Sequence, residues 1–387
     1  MAATTAEGAR ILRLFAGEGF TPVEPPIVQP ADVFIEKSGE QIRAHTFLFT
    51  DPDGVAELCL RPDLTVPTCR WHLQHAADPA AEARYSYAGP VFRYHANADV
   101  PREYEQVGLE WFAAPDATTA EAEVLALAVQ AVREAAPDVS PPLAITIGDI
   151  GLMRALLSDL DMPPRWRARL LRRLRRPAAF SRTLDDLSGN GEPTRTSLSP
   201  LIDNLAEQPS MQRALELAER ELQAHDLELV GGRTLEDIAT RLLEKAENRH
   251  LPPLAQGKRA LIEQLLSIRA PLKPAIVQLG KLAEQAGPAT RRAWEAFAVR
   301  VEHIARLLPD DAKRVLFDAS FGQSFDYYTG FVFEITAPVR GGAQSIAGGG
   351  RYDDMLASLG GPDVPALGMA LNMPRLLATL QQREVAA

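Results

Sequence analysis

Two stretches of the sequence place polar side chains beside glycine at strand spacing, an arrangement suited to flooring a pocket for a small polar ligand. In Gln106–Phe112, Val107, Leu109 and Trp111 share one parity, while Gln106, Gly108, Glu110 and Phe112 share the other. Side chains alternate faces along a strand, so one parity can enter a core while the other offers an amide, a gap and a carboxylate. At roughly 3.3 Å per residue, Gln106 and Glu110 stand about 13 Å apart, and Gly108 lets a ligand approach the sheet. A half-solvated sheet face would give the same alternation. The segment Phe325–Ile335 repeats the pattern: Asp326, Tyr328, Gly330, Val332 and Glu334 on one side, Phe325, Tyr327, Phe331, Phe333 and Ile335 on the other. Buried carboxylates need partners, and a cationic ligand would supply one. A third stretch, Gly348-Gly-Gly-Arg-Tyr-Asp353, reads as a flexible turn between strand and helix. It matches neither a Walker loop nor a dinucleotide fingerprint.

The elements that must position these groups follow from periodicity and breakers. A first helix is expected over Ala6–Glu18, ended by Gly19, and the prolines at 22, 25, 26 and 30 forbid its continuation. Strands are expected at Thr46–Thr50 and Val55–Leu60 around the turn Asp51-Pro-Asp-Gly54, then at Tyr85–Tyr94 and Gln106–Ala113. A helix over Thr119–Ala135, a strand Leu143–Ile147 and a helix Gly151–Leu160 come next. From about residue 161 to 311, Leu, Ala, Arg and Glu dominate and strand signals fade, so a mainly helical insertion is expected there. Strand signals return at Val315–Phe317 and Ala366–Leu371. The expected divisions are thus 1–160 and 312–387 for one α+β core and 161–311 for the insertion.

Composition narrows the function classes. A chain of 387 residues with 46% hydrophobic content holds two or three domains with sizeable cores. No apolar run approaches the roughly 18–20 residues of a membrane span, and the first residues do not follow the order of a signal peptide, so a cytoplasmic protein is expected. Two cysteines, Cys59 and Cys69, make neither a disulfide framework nor a zinc set. No metal and no cofactor is expected. The net charge of −10 argues against a broad nucleic-acid surface. The one basic cluster, Arg165–Arg176, reads first as the solvated face of an amphipathic helix, then as a site for an acidic partner.

Four motifs in order, Arg61-Pro-Asp-Leu-Thr65, Arg102-Glu-Tyr-Glu-Gln-Val-Gly-Leu-Glu110, Asp326-Tyr-Tyr-Thr-Gly330 and Gly349-Gly-Arg-Tyr-Asp353, together resemble the class II core of the histidyl-tRNA synthetase family over about residues 6–160 and 312–376. Gly19-Phe, Pro26, Phe34, Ser38-Gly-Glu40 and Arg93 add to the likeness. The resemblance implies an antiparallel sheet flanked by helices. It also implies a histidine pocket of Asp63, Thr65, Arg93, Gln106, Glu110, Tyr327, Tyr328 and Tyr352. Acidic groups would meet the α-ammonium and imidazole N–H donors, and tyrosines would supply an aromatic wall.

The activation machinery of that family is altered. Gln323 stands where the family has an arginine, Arg93-Tyr-His95 where it has Arg-His-Glu, and Gly368-Met-Ala-Leu-Asn-Met-Pro-Arg375 carries Asn372 and Pro374 in place of a glycine and a glutamate. Transition-state charge on a phosphate needs fixed cations, which Gln323 cannot provide. Leu64 is expected to crowd the ATP approach, and no anticodon-reading domain is expected after Arg375. A retained amino-acid site without these parts is similar to the regulatory subunits of ATP phosphoribosyltransferase. That likeness implies a non-catalytic protein of histidine biosynthesis that binds free histidine for feedback control, is needed for the activity of a short-form catalytic subunit and forms a homodimer within a hetero-oligomer. The alternatives are a divergent synthetase and an amino-acid-binding protein with another partner.

Overall fold

The computed structural model describes residues 5–35, 43–97, 100–135, 143–174, 176–189, 199–224, 234–248, 251–322, 327–339 and 342–384. Ser38–Glu40, Gln323, Phe325 and Asp326 lie outside the described residues. The first helix runs Ala6–Gly17, and Gly19, at φ +84°, closes it. The N–H of Phe20 donates to Phe15 O and that of Gly19 to Ala16 O, satisfying carbonyls the helix leaves open.

Among the described residues, twelve strands follow the chain: β1 (Thr21–Pro22), β2 (Val28–Pro30), β3 (Leu48–Thr50), β4 (Glu57–Leu60), β5 (Ala83–Phe92), β6 (Glu103–Phe112), β7 (Ala144–Asp149), β8 (Arg269–Pro271), β9 (Val315–Asp318), β10 (Phe331–Val339), β11 (Gly342–Arg351) and β12 (Ala366–Asn372). Nine form one sheet in the order β1-β5-β6-β12-β11-β10-β7-β9-β8, and β2-β4-β3 form a second. The large sheet is antiparallel from β5 through β7, while β1/β5 and β7/β9 pair in parallel.

The glycine stretch 348–350 is not a turn. It lies inside β11, paired to β10 on one side and β12 on the other. A glycine run has low strand propensity, yet here the sheet demands it. A Cβ on Gly350 would come 2.5 Å from Phe331 O, and one on Gly349 would collide with Gly368 O.

Registration gives the sheet two unlike faces. One cross-strand row reads Tyr85, Glu110, Gly368, Gly350, Val332, Gly148, and the next reads Tyr87, Gly108, Ala370, Gly348, Glu334, Thr146. Small residues therefore occupy the middle of this face and leave a trough. On the opposite parity, Val107, Leu109, Leu367, Met369, Phe331 and Phe333 are all buried. The helix Ala117–Ala135 packs on β10–β12, and the helix Pro288–Leu307 packs on it and on the helix Ile150–Asp159.

Between these helices and the sheet lies a buried ion network. Arg300 Nε donates to Glu121 at 2.5 Å and its Nη1 to Asp149 at 2.8 Å, with Phe331 beneath the guanidinium. Burial disfavours the Arg300 charge, but the two carboxylates outweigh it and hold its pKa above the ordinary arginine value.

Contacts divide the chain into Met1–Pro163 with Leu261–Ala387, and Pro164–Ala260. The helical insertion is thus shorter than 161–311. The helices Leu272–Gln285 and Pro288–Leu307 belong to the larger unit, because the apolar side of the second covers Phe317 and the helix 117–135. The smaller unit has its own core around Leu205, Leu217 and Leu242. Its basic helix, Pro164–Arg173, buries Trp166 and Leu170; Arg165 pairs with Glu247 and Arg169 with Asp186.

Replacing Arg300 by Met leaves two buried carboxylates without their shared cation. The expected loss is about 3–5 kcal/mol of folding stability, read by urea unfolding of the variant against the parent chain.

Candidate functional site

The site is built on the loop that joins β4 to the helix Thr65–His75. Every residue of that loop is tied down. Buried Arg61 donates to Pro25 O at 2.5 Å and Pro90 O at 2.8 Å. Pro62 O accepts from Arg93 Nε at 2.9 Å, and the Leu64 N–H donates to Gln106 Oε1 at 2.8 Å. The loop thereby presents Asp63 and Thr65 at the edge of the trough, and Gln106 commits its amide oxygen to the backbone.

Asp63 is 2% exposed. Its Oδ1 accepts from the Val66 N–H at 3.2 Å, while its Oδ2 is buried and has no hydrogen-bond partner. Burial pushes the Asp63 pKa up, against the pull of Arg93 and of the Val66 and Thr65 amides. A buried carboxylate oxygen without a donor costs free energy, so the arrangement favours a ligand that brings a cationic N–H.

A cavity of about 220 Å³ opens beside it. This is below the roughly 300–1,000 Å³ of sites for drug-sized ligands and suits a smaller molecule. Asp63, Thr65, Arg93, Gln106, Tyr327, Tyr328 and Tyr352 all line it, so seven of the eight expected residues are brought together. Tyr327 meets Tyr352 edge-on at 5.8 Å and lies 4.8 Å from Tyr328, forming an aromatic wall. Arg93 sits over the Tyr104 ring at 5.6 Å.

Glu110 is placed differently. It is fully buried behind the lining, where Tyr87 donates to Oε1 at 2.8 Å and the Tyr352 hydroxyl donates to Oε2. The room for it comes from Gly368, where a Cβ would overlap Glu110 Oε2. Burial raises its pKa to about 8 despite hydrogen bonds from Tyr352, Thr65 and Tyr87. Glu110 therefore orients two tyrosines and Thr65 from beneath the cavity.

Glu334, placed on the polar side of its strand by the alternation, also lines the cavity, whereas Tyr104, Ser345 and Asn372 were not singled out for the pocket from the sequence. The register was the missing signal for Asn372, which pairs with Gln106. Leu64 does not crowd the cavity. It is buried with Tyr87 and Val91, because the loop turns its side chain into the core. Asn372 Oδ1 accepts the Arg375 N–H at 3.1 Å and so caps the helix Met373–Glu384, and Pro374 occupies the first turn, where its missing N–H costs little. Arg375 lines the same cavity and is exposed. Among the described residues, no group of three or more His, Cys, Asp or Glu could hold a metal.

Glu110 carries a pH signature. The folded chain keeps a proton on Glu110 that the unfolded chain releases above about 4.5, so its contribution to stability falls as pH rises from there to about 8. Glu110→Gln removes this loss. Its stability relative to the parent is expected to increase across that window, by at most about 1.4 kcal/mol per pH unit, in urea titrations at several pH values. A difference independent of pH would contradict the buried, protonated carboxyl.

A profile of the histidyl-tRNA synthetase family matches residues 2–248 and 241–376. The ATP phosphoribosyltransferase regulatory subunit of Mesorhizobium japonicum is 36% identical over 375 residues, 96% of each chain. That of Brucella anthropi is 35% identical over 357 residues, 92% of each chain. Among solved structures, an ATP phosphoribosyltransferase regulatory subunit/histidyl-tRNA synthetase from Bacillus halodurans superposes with TM-score 0.64 at 21% identity, covering 98% of this chain and 82% of that one. A histidine–tRNA ligase subunit from Alicyclobacillus acidocaldarius gives 0.59 at 23%, covering 98% and 93%. These two likenesses concern the fold, which is that of the histidyl-tRNA synthetase-like class II core. With the sheet, the trough and the tyrosine wall in place, the chain belongs to the family of ATP phosphoribosyltransferase regulatory subunits, built on a class II histidyl-tRNA synthetase-like fold.

Proposed function

We propose that this chain is a non-catalytic subunit that binds free histidine and conveys feedback control to a short-form ATP phosphoribosyltransferase catalytic subunit, which needs it for activity. The observation that carries the ligand assignment is the orphaned Oδ2 of Asp63 in a small cavity that also holds Arg93. A free amino acid is a zwitterion. Its ammonium satisfies Asp63, and its carboxylate meets the guanidinium of Arg93. The imidazole lies against Tyr327, Tyr328 and Tyr352, above the carboxyl of Glu110. The names of the relatives support the regulatory role and supply the class of partner.

The absence of catalysis is part of the same proposal. His95, Asn372 and Pro374 replace groups that the synthetase family uses for nucleotide chemistry, and the structure gives Asn372 a helix-capping task instead. A homodimer within a hetero-oligomer is also proposed. The outward face of the small sheet offers Val28, Leu58, Leu60 and Phe49, with Val28 46% and Phe49 40% exposed. Such an apolar face suits burial against a second copy. No helix among the described residues is long and apolar enough to cross a membrane, and a cytoplasmic location is proposed.

Calorimetry with L-histidine on the isolated chain tests the ligand. Binding is expected without ATP, and Asp63→Asn should weaken it by about 1.5–3 kcal/mol, the worth of a hydrogen bond to a charged group. The variant should be at least as stable as the parent, because it relieves a buried charge. Equal affinity in the two would remove Asp63 from the site.

Histidine-dependent ATP–pyrophosphate exchange is expected to stay at background. Exchange above background would make the chain a synthetase and overturn the non-catalytic assignment.

A further inference from the structure

The wall of three tyrosines stands on the trough side of the sheet, where Glu110 holds the Tyr352 hydroxyl, and a second set of contacts holds its backbone from the other side. Tyr352 falls between Arg351 and Asp353, and Tyr328 immediately precedes Thr329. The Thr329 N–H donates to Arg351 O at 2.7 Å, and the Asp353 N–H donates to Thr329 Oγ1 at 3.1 Å. The Asp353 carboxylate accepts Arg351 Nε at 2.8 and 2.6 Å and the Ala366 N–H at 3.1 Å. These bonds join the tyrosine-bearing segment ahead of β10 to the end of β11 in one closed corner.

Arg351 also leaves that corner. Its Nη1 lies 3.5 Å from Glu121 Oε1, and Glu121 in turn holds Arg300. Its alkyl stem packs at Gly330, where a Cβ would come 3.2 Å from Arg351 Cδ. The Gly330 carbonyl accepts the Ile150 N–H at 3.0 Å, next to Asp149. The Arg351 side chain thus touches both the corner carrying Tyr328 and Tyr352 and the buried ions under the helices.

We propose that Arg351 is a positioning residue of the ligand site: it fixes the angle of the tyrosine wall by bridging Asp353 to the buried Glu121–Arg300–Asp149 network. It does not touch the cavity, and Tyr352 is its means of action. The proposal rests on the histidine assignment only for its binding measurement. A lysine at this position has a single ammonium, which can serve Asp353 or Glu121 but not both in the observed geometry.

The test uses the full chain with three replacements: Arg351→Met, Arg351→Lys, and Arg351→Met combined with Glu121→Gln. Arg351→Met should bind L-histidine at least tenfold more weakly and change the near-ultraviolet tyrosine signal, with Arg351→Lys in between. It should also lose thermal stability, because Glu121 loses one of its two cations. The double variant removes that surplus charge, so it should regain stability without regaining affinity. Affinity that returns along with stability would show a merely structural role and overturn the proposal. Should the parent chain itself bind no histidine, the ligand assignment falls. Arg351 is then judged without ligand, by the tyrosine signal and by hydrogen exchange at the Thr329 and Tyr352 amides. If Arg351→Met leaves both unchanged, Arg351 positions nothing.

Discussion

The cavity exists because one face of a nine-stranded sheet has almost no side chains at its centre. Gly108, Gly348, Gly350, Gly368 and Ala370 are neighbours across β6, β12 and β11, and several cannot carry a Cβ without striking a backbone oxygen or another side chain. Strand glycine is ordinarily a weakness. Here the cost is offset by the apolar face behind it, where Phe331, Phe333, Met369 and Leu109 are buried under helices. A single sheet thus separates a hydrophobic core from a polar trough.

Charge is distributed across that sheet in an ordered way. Behind it, the buried carboxylates of Glu121 and Asp149 are answered by Arg300. In front, Asp63 keeps an oxygen unanswered and Glu110 is quenched by tyrosine hydroxyls and its own proton. The difference separates a structural ion cluster from a site prepared for a ligand, since an isolated buried charge persists at a cost that only a partner relieves. The two arginines near the trough, Arg93 and Arg375, make the cavity amphoteric, and an amino acid has the same property.

Much of this was legible in the sequence, for identifiable reasons. Alternation in Gln106–Phe112 separated the core residues Val107 and Leu109 from the polar set, and Gly19 marked the end of the first helix, as its positive φ shows. The motifs also collected seven residues into one cavity across nearly 290 positions of sequence, from Asp63 to Tyr352. What failed were features fixed by tertiary contact. Gly348–Gly350 looks like a turn until β10 and β12 flank it. The orientation of Leu64 depends on the clamp at Arg61, and the burial of Glu110 depends on the absent side chain at Gly368. Arg300 and Glu121 are each one charge among several in their helices, and nothing in their local pattern announces that they meet.

The pairing of β6 with β12 joins Phe112 to Ala366, so an interior strand waits for a neighbour made roughly 250 residues later. At about 5–20 residues per second of synthesis, the interval is on the order of 10–50 s. During that time the hairpin β5–β6 has an open edge, a template for unwanted pairing. Glu110 meanwhile has no Gly368 against it and no Tyr352 above it, so it remains an ordinary hydrated carboxylate that discourages such pairing. Closure of the sheet by β12 then takes that carboxyl out of water, and burial gives it a proton. The ligand cavity is therefore among the last parts of the molecule to form, and a ribosome-bound chain has no site until its final strand has been made.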